Sequence, residues 1–182
     1  MTDAPSTQTT YNVLFICTQN SARSILAEAA MNNLSNGRFK AFSAGSNPSG
    51  RVHPMTINVL HDLRIDTSFA RSKSWDEFTG PDAPTMHFVF TVCDVAAGEA
   101  CPLWPSHPLT GHWGVPDPKR AEGNDAEIAL AFANTYKMLA RRIGIFLALP
   151  HESLDKMALE SEIDAIGKSP DEPAYRQPAP TA

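Results

Sequence analysis

The sequence predicts an α/β fold built on a parallel sheet, and three observations support this prediction. Short apolar runs alternate along the chain with segments of helical spacing, which is the order of strands and helices in such folds. The first apolar run is continuous rather than alternating, as expected of a strand that is covered on both faces. The chain has 182 residues, of which 42% are hydrophobic and 19% charged, enough for one domain with a sizeable core.

The first half of the chain predicts two strands and two helices. Apolar side chains recur at helical spacing after Ser21 until Asn36-Gly37 supplies a stop signal. In chain order, we expect a disordered leader over 1–10, a strand over 11–17, a helix over 21–34, a strand over 39–44 and a helix over 54–63.

The second half predicts one more strand, a long connection and two further helices. Cys93 stands at the end of the strand, and the connection is rich in Pro and Gly. A connection of this length within a domain is usually functional. The expected elements are a strand over 87–92, an irregular segment over 94–118, a helix over 125–149 and a helix over 152–166. We therefore expect a domain over 11–150 and a C-terminal extension over 151–182, which ends in a mobile Pro-rich tail.

Composition weighs against several classes of protein. The formal net charge is −5 without a run of Lys or Arg, which argues against nucleic-acid binding. No stretch approaches the roughly 20 apolar residues of a membrane span, and the N-terminus lacks the features of a signal peptide. The three cysteines form neither a disulfide framework nor a Cys-x-x-Cys pair, so we predict no structural metal. These features predict a cytoplasmic protein.

The segment Cys17-Thr-Gln-Asn-Ser-Ala-Arg23-Ser24 lies between the first strand and the first helix. In such a turn, successive backbone N–H groups can converge on one tetrahedral oxyanion near the positive end of the helix. Arg23 can add a two-pronged hydrogen bond, and the same field favours an ionised, nucleophilic Cys17. Ser24 can donate a hydrogen bond to the thiolate. The alternative is a buried, inert cysteine at a chance spacing.

The segment from Val13 to Ser24 resembles the signature of low-molecular-weight tyrosine phosphatases and of the arsenate reductases that share their fold. Ser43-Ala-Gly45 and His112-Trp-Gly-Val-Pro-Asp-Pro118 match that family as well. The resemblance implies a four-stranded parallel sheet flanked by helices, here with an additional C-terminal helix. It also implies that Asp117 is the general acid, although Asp-Pro can simply begin a turn. The implied oxyanion-binding residues are Thr18, Gln19, Asn20, Ser21, Ala22, Arg23 and Ser24.

The segment 91–102 is similar to the redox segment of the thioredoxin-coupled arsenate reductases. By this resemblance, Cys93 attacks the Cys17 adduct, and Cys101 then takes over the disulfide from Cys17. An external thiol reductant, either thioredoxin or glutathione with glutaredoxin, would restore the thiols, and no cofactor would be bound. The alternatives are that Cys93 is a small core residue and Cys101 an ordinary loop thiol.

The chain departs from the family pattern at several positions. Gln19 stands where Gly is usual, and Ala22 replaces a second loop cysteine. Lys119 follows Asp117-Pro118, where the phosphatases have an aromatic residue. Some relatives hold a potassium ion beside the loop with an Asp near the position that Lys73 occupies here. Because the lysine cation would repel a metal ion, we expect no metal there. We also expect Asn20 to hold the loop in shape, with help from Ser43.

The sequence thus predicts an enzyme that reduces arsenate to arsenite in arsenic detoxification. One alternative is a low-molecular-weight phosphatase that hydrolyses phosphotyrosine or small phosphoesters, since Cys17, Arg23 and Asp117 serve both reactions. Another is a module that binds an oxyanion, or responds to redox state, without turnover.

Overall fold

The sheet of the computed structural model, which describes residues 9–171, has four parallel strands in the order β2-β1-β3-β4. The strands are β1 Tyr11–Cys17, β2 Phe39–Gly45, β3 Phe88–Thr91 and β4 Leu109–His112. β1 pairs with β2 along its whole length, from Tyr11 opposite Phe39 to Cys17 opposite Gly45. This confirms the predicted α/β fold with a four-stranded parallel sheet.

In the described part of the chain, residues 9–171, five α-helices connect the strands or follow them. They are α1 Arg23–Leu34, α2 Pro54–Asp62, α3 Asp94–Gly98, α4 Asp125–Leu147 and α5 Lys156–Lys168. Short 3-10 helices span Trp75–Phe78 and Pro118–Arg120. α4 begins with a capping box, in which Asn124 and Glu127 each accept a hydrogen bond from the other's backbone N–H. None of these helices is both long and apolar enough to cross a membrane.

The central strand β1 is buried on both faces, which explains its continuous apolar sequence. Val13, Leu14, Phe15 and Ile16 are all fully buried. Aromatic side chains fill the core beside it: the ring of Trp113 stacks on Phe90 at a centroid distance of 4.0 Å, and Phe146 of α4 packs edge-on against both. Because β1 is held so firmly, its end at Cys17 is a rigid platform for the loop that follows.

The irregular segment expected over 94–118 is the main correction to the sequence analysis. It contains α3 and the edge strand β4, which pairs with β3 from Leu109 opposite Phe88 to His112 opposite Thr91. The strand has a weak sequence signal because its residues are only alternately half-buried, and one of them is Gly111. A Cβ on Gly111 would lie 2.4 Å from Ile163 of α5, so close packing rather than strand propensity selects glycine here.

The helix ends also differ from the expected bounds. α1 begins at Arg23 rather than at residue 21, because the preceding residues belong to the loop. The last helix begins at Lys156 rather than at residue 152, since Asp155 caps it by accepting a hydrogen bond from Ala158 N–H at 2.8 Å. Most of the predicted leader and of the Pro-rich tail lies outside the described residues.

Candidate active site

The loop between β1 and α1 is anchored by hydrogen bonds from a neighbouring segment to its carbonyl groups. The carbonyls of Cys17, Thr18, Gln19 and Ser21 accept hydrogen bonds from backbone N–H groups within the segment 46–53, at 2.9–3.2 Å. With these carbonyls turned toward that segment, the loop's N–H groups are free to face the concave side, as an oxyanion-binding turn requires.

Gly45, at the end of β2, allows this arrangement. A Cβ at this position would lie 2.5 Å from the carbonyl oxygen of Thr18. The predicted Ser43-Ala-Gly45 segment therefore ends in glycine because the loop approaches the backbone of β2 so closely.

The sulfur of Cys17 lies at the centre of the loop and is buried. It accepts a hydrogen bond from the backbone N–H of Asn20 at 3.2 Å and contacts the hydroxyl of Ser24 at 2.9 Å. The Asn20 amide nitrogen donates to Ser24 Oγ at 2.8 Å and to Ser43 Oγ at 3.0 Å, while its oxygen accepts from Lys73 N–H at 2.9 Å. Because Ser24 Oγ accepts from Asn20, its own proton is available for a hydrogen bond to the sulfur of Cys17.

Asn20 itself has a positive φ of 46°, a conformation that asparagine tolerates better than most residues. The predicted role of Asn20 and Ser43 in holding the loop agrees with these contacts.

A buried ionic cluster lies behind the loop. Ser43 donates to Glu28 Oε2 at 2.5 Å, and the Lys73 ammonium lies 3.9 Å from the same oxygen and donates to the carbonyl of Arg71 at 3.1 Å. Burial raises the pKa of Glu28 to about 7, although the charge of Lys73 and the hydrogen bond from Ser43 act in the opposite direction. Burial also lowers the pKa of Lys73. The Lys73 side chain thus brings a cationic group into the space behind the loop.

The segment after β4 brings Asp117 to the loop. Arg23 donates to Asp117 Oδ2 at 3.2 Å and to the carbonyl of Val115 at 3.3 Å. Both charged side chains remain partly exposed, at 15% for Arg23 and 18% for Asp117. The guanidinium is therefore held over the loop and next to the predicted general acid.

Together these elements enclose a pocket of about 170 Å³. Every predicted oxyanion-binding residue lines it except Asn20 and Ser24, which are buried beneath it. Four residues from other segments complete the lining: Val95, Asp117, Lys119 and Arg120. Three cationic side chains therefore surround the thiol of Cys17, an arrangement suited to a small anion.

The three thiols have different environments. Cys93 is buried at the start of α3, where its sulfur accepts a hydrogen bond from Ala96 N–H at 3.4 Å and lies 3.6 Å from Thr18 Oγ1. It therefore borders the loop that carries Cys17. Cys101, by contrast, is exposed to solvent and does not line the pocket.

Sequence reasoning did not predict Glu28, Val95 or Arg120 at the site. Glu28 had a usable signal, since it is a charged residue within the apolar face of α1. Arg120 follows directly on the Asp117-Pro118 segment. Val95 lies in α3, a helix that the sequence did not predict. Within residues 9–171, no group of three or more His, Cys, Asp or Glu side chains is arranged to hold a metal ion.

Comparison with known proteins agrees with this geometry. The family model of low molecular weight phosphotyrosine protein phosphatases matches residues 12–159. An arsenate reductase of Shouchella clausii (strain KSM-K16) is 32% identical over 136 residues, which are 74% of this chain and 93% of that protein. An arsenate reductase of Bacillus subtilis (strain 168) is 31% identical over 134 residues, with the same shares of the two chains.

Solved structures show the same architecture. An arsenate reductase in its oxidized state superposes with a TM-score of 0.60 at 25% identity, over 75% of this chain and 96% of that one. The Vibrio vulnificus protein Wzb in complex with benzylphosphonate also gives a TM-score of 0.60, at 17% identity over 75% of this chain and 97% of that one, and shows the fold alone. The chain belongs to the low molecular weight phosphotyrosine protein phosphatase family, and within it is similar to arsenate reductases.

Proposed function

We propose that this protein reduces arsenate to arsenite in the cytoplasm, in arsenic detoxification, with electrons from its own thiols. The observation that carries the proposal is that a second buried thiol, Cys93, borders the loop of Cys17 through Thr18 Oγ1. A phosphatase needs one thiol at this position, whereas a reductase needs a second thiol to attack the sulfur of the Cys17–arsenic adduct and form a disulfide with it. The similarity to arsenate reductases supports the same choice.

The first step forms a bond between sulfur and arsenic. Arsenate binds in the pocket, with its oxygens held by the loop N–H groups and by Arg23. The Cys17 thiolate attacks arsenic, and one arsenate oxygen leaves as water after protonation, for which Asp117 is the nearby acid. Arg23 must exchange part of its contact with Asp117 for the substrate, so substrate binding also frees the carboxyl group to act.

The second step transfers the electrons. The Cys93 thiolate attacks Cys17 Sγ, so that a disulfide forms, the sulfur–arsenic bond breaks and its electron pair stays on arsenic. Arsenic is reduced from the +5 to the +3 state and leaves as arsenite, while the two thiols are oxidised. The hydrogen bond from Ala96 N–H and the contact with Thr18 Oγ1 hold the sulfur of Cys93 beside the loop of Cys17.

The third step moves the disulfide to the surface. The Cys101 thiolate attacks Cys93 Sγ and releases Cys17 as a thiolate, ready for another cycle. α3 lies between the two cysteines and has only five residues, with Asp94, Val95, Ala97 and Gly98 all exposed. α3 can therefore rearrange to bring Cys101 to Cys93 with little loss of buried apolar surface. The exposed disulfide between Cys93 and Cys101 would then be reduced by thioredoxin, or by glutathione and glutaredoxin.

The second candidate is phosphoester hydrolysis in the same pocket. The position of Asp117 supports phosphoester hydrolysis, because a carboxyl group beside Arg23 is well placed to protonate the leaving oxygen of an ester. In that reaction Cys17 attacks phosphorus and water later hydrolyses the thiophosphate, so neither Cys93 nor Cys101 takes part.

A single turnover separates these candidates. Fully reduced protein is mixed with stoichiometric arsenate without external thiol, and arsenite and free thiols are counted. We expect one arsenite and the loss of two thiols per chain, and Cys93→Ser should form no arsenite. If the protein forms no arsenite but hydrolyses p-nitrophenyl phosphate equally well with and without Cys93, phosphoester hydrolysis replaces arsenate reduction as the function of this pocket. Binding of arsenate without any product under any thiol donor would instead indicate a module without turnover.

A further inference from the structure

Lys119 reaches across the mouth of the pocket. It lies in the short 3-10 helix after Asp117, and its backbone N–H donates to Asp117 Oδ1 at 3.1 Å. Its ammonium donates to Gln19 Oε1 and, at 3.2 Å, to Ser21 Oγ. Both acceptors lie on the anion loop, the segment 17–24 that joins β1 to α1. One half-buried side chain therefore joins the acid-bearing segment to the loop that holds the nucleophile.

The contact between Lys119 and Gln19 lies at the mouth of the pocket, since both residues line it. Gln19 is exposed, so this contact stabilises the fold little. Its consequence is instead that a cationic group, held by neutral oxygens, stands at the mouth of the pocket.

The charge of Lys119 is available to a ligand. Arg23 already has Asp117 as an anionic partner at 3.2 Å. Among residues 9–171, by contrast, no carboxylate lies within 4 Å of the Lys119 ammonium, whose side-chain partners are the neutral oxygens of Gln19 and Ser21. Exchanging two neutral acceptors for a charged oxygen is favourable, because the ammonium and an anionic oxygen also attract each other as opposite charges.

We infer that Lys119 is a substrate-binding residue that selects inorganic oxyanions over esters, an inference that rests on the proposed oxyanion substrate. When the anion binds over Cys17, the ammonium leaves Gln19 and Ser21 and binds the oxygen that faces the mouth. An inorganic oxyanion offers a free oxygen there. A phosphoester or phosphonate instead presents an organic group, which accepts no comparable hydrogen bond and would desolvate the Lys119 ammonium without compensation.

The test compares two ligands in one assay that requires no turnover. Inorganic phosphate and benzylphosphonate each protect Cys17 from alkylation by iodoacetamide, and the protection gives both dissociation constants. We expect Lys119→Met to weaken phosphate binding about tenfold, the size of one charge-assisted hydrogen bond, and benzylphosphonate binding less than about threefold. Lys119→Arg should keep most of the phosphate affinity, because it retains the charge and the donors. Lys137→Met, an exposed change on α4, is the matched control.

An equal loss of both ligands in Lys119→Met, no loss of either, or an unchanged protein that binds no phosphate would overturn the inference. If phosphate binding weakens selectively while the single turnover yields no arsenite, the inference stands and the proposed reduction fails.

Discussion

Replacing Glu28 with Gln removes the ionisable carboxyl group from the buried cluster behind the anion loop and keeps a side chain of nearly the same size. Glu28 is a carboxyl group with 5% exposure, and burial raises its pKa from 4.5 to about 7. Between these two pH values the folded protein holds a proton on Glu28 that the unfolded chain has released. The free energy of unfolding must therefore fall as the pH rises through this window.

The size of the effect follows from the shift. Each pKa unit is worth about 1.4 kcal/mol, so ionisation of Glu28 lowers the free energy of unfolding by about 3 kcal/mol between pH 4.5 and 7. The stabilising contribution is fully present below pH 4.5 and is lost as the pH rises to about 7. Gln cannot ionise but can still accept the hydrogen bond from Ser43, so Glu28→Gln should lack this part of the pH dependence.

Urea unfolding of both proteins from pH 5 to pH 8 measures the difference. We expect the advantage of Glu28→Gln over the unchanged protein to grow by about 2–3 kcal/mol across this range. The control is Glu160→Gln, an exposed change on α5 that should run parallel to the unchanged protein. Parallel curves for Glu28→Gln would refute the reasoning, because they would mean that Glu28 titrates alike in the folded and unfolded states.

Three further predictions concern the loop and the thiols. Ser24→Ala removes the hydroxyl donor to Cys17, so alkylation of that thiol at pH 7 should slow about tenfold, the worth of one hydrogen bond; an unchanged rate would show that Ser24 does not stabilise the thiolate. Gly45→Ala places a methyl group 2.5 Å from the carbonyl oxygen of Thr18. The loop must shift, so phosphate should protect Cys17 from alkylation at least tenfold less well, and the free energy of unfolding should fall by about 1–3 kcal/mol. Cys101→Ser should leave the single turnover intact but abolish steady-state reduction with thioredoxin; full steady-state activity would exclude its relay role.

The anion loop could be predicted from the sequence because its chemistry is local. Cys17, Arg23 and Ser24 lie within one strand–loop–helix unit, and the spacing between them decides which groups can converge. The hydrogen bond between Ser24 and the sulfur of Cys17 follows directly from that spacing. Asp117 lies far along the chain and was predicted only through the resemblance of its segment to a known family.

The edge strand β4 and the helix α3 could not be located in this way. β4 is only half-covered, so its residues show no apolar run, and Gly111 is selected by the packing of Ile163. α3 is a single short turn of helix capped by Cys93, and its sequence of small residues has little periodicity. At the edge of a sheet, packing against neighbouring elements decides the local structure more than the hydrophobic pattern of the segment does.

The sequence by itself determined the parallel sheet and the loop between β1 and α1, because hydrophobic periodicity and local spacing specify these features. Only the tertiary structure decided which distant residues meet at and behind the loop of Cys17. It places Lys73 beside Glu28, Cys93 beside Thr18 and Lys119 beside Gln19, pairs that lie 45, 75 and 100 residues apart. The physical reason is that the carboxyl ends of parallel strands meet at one edge of the sheet, so segments remote in sequence meet there too.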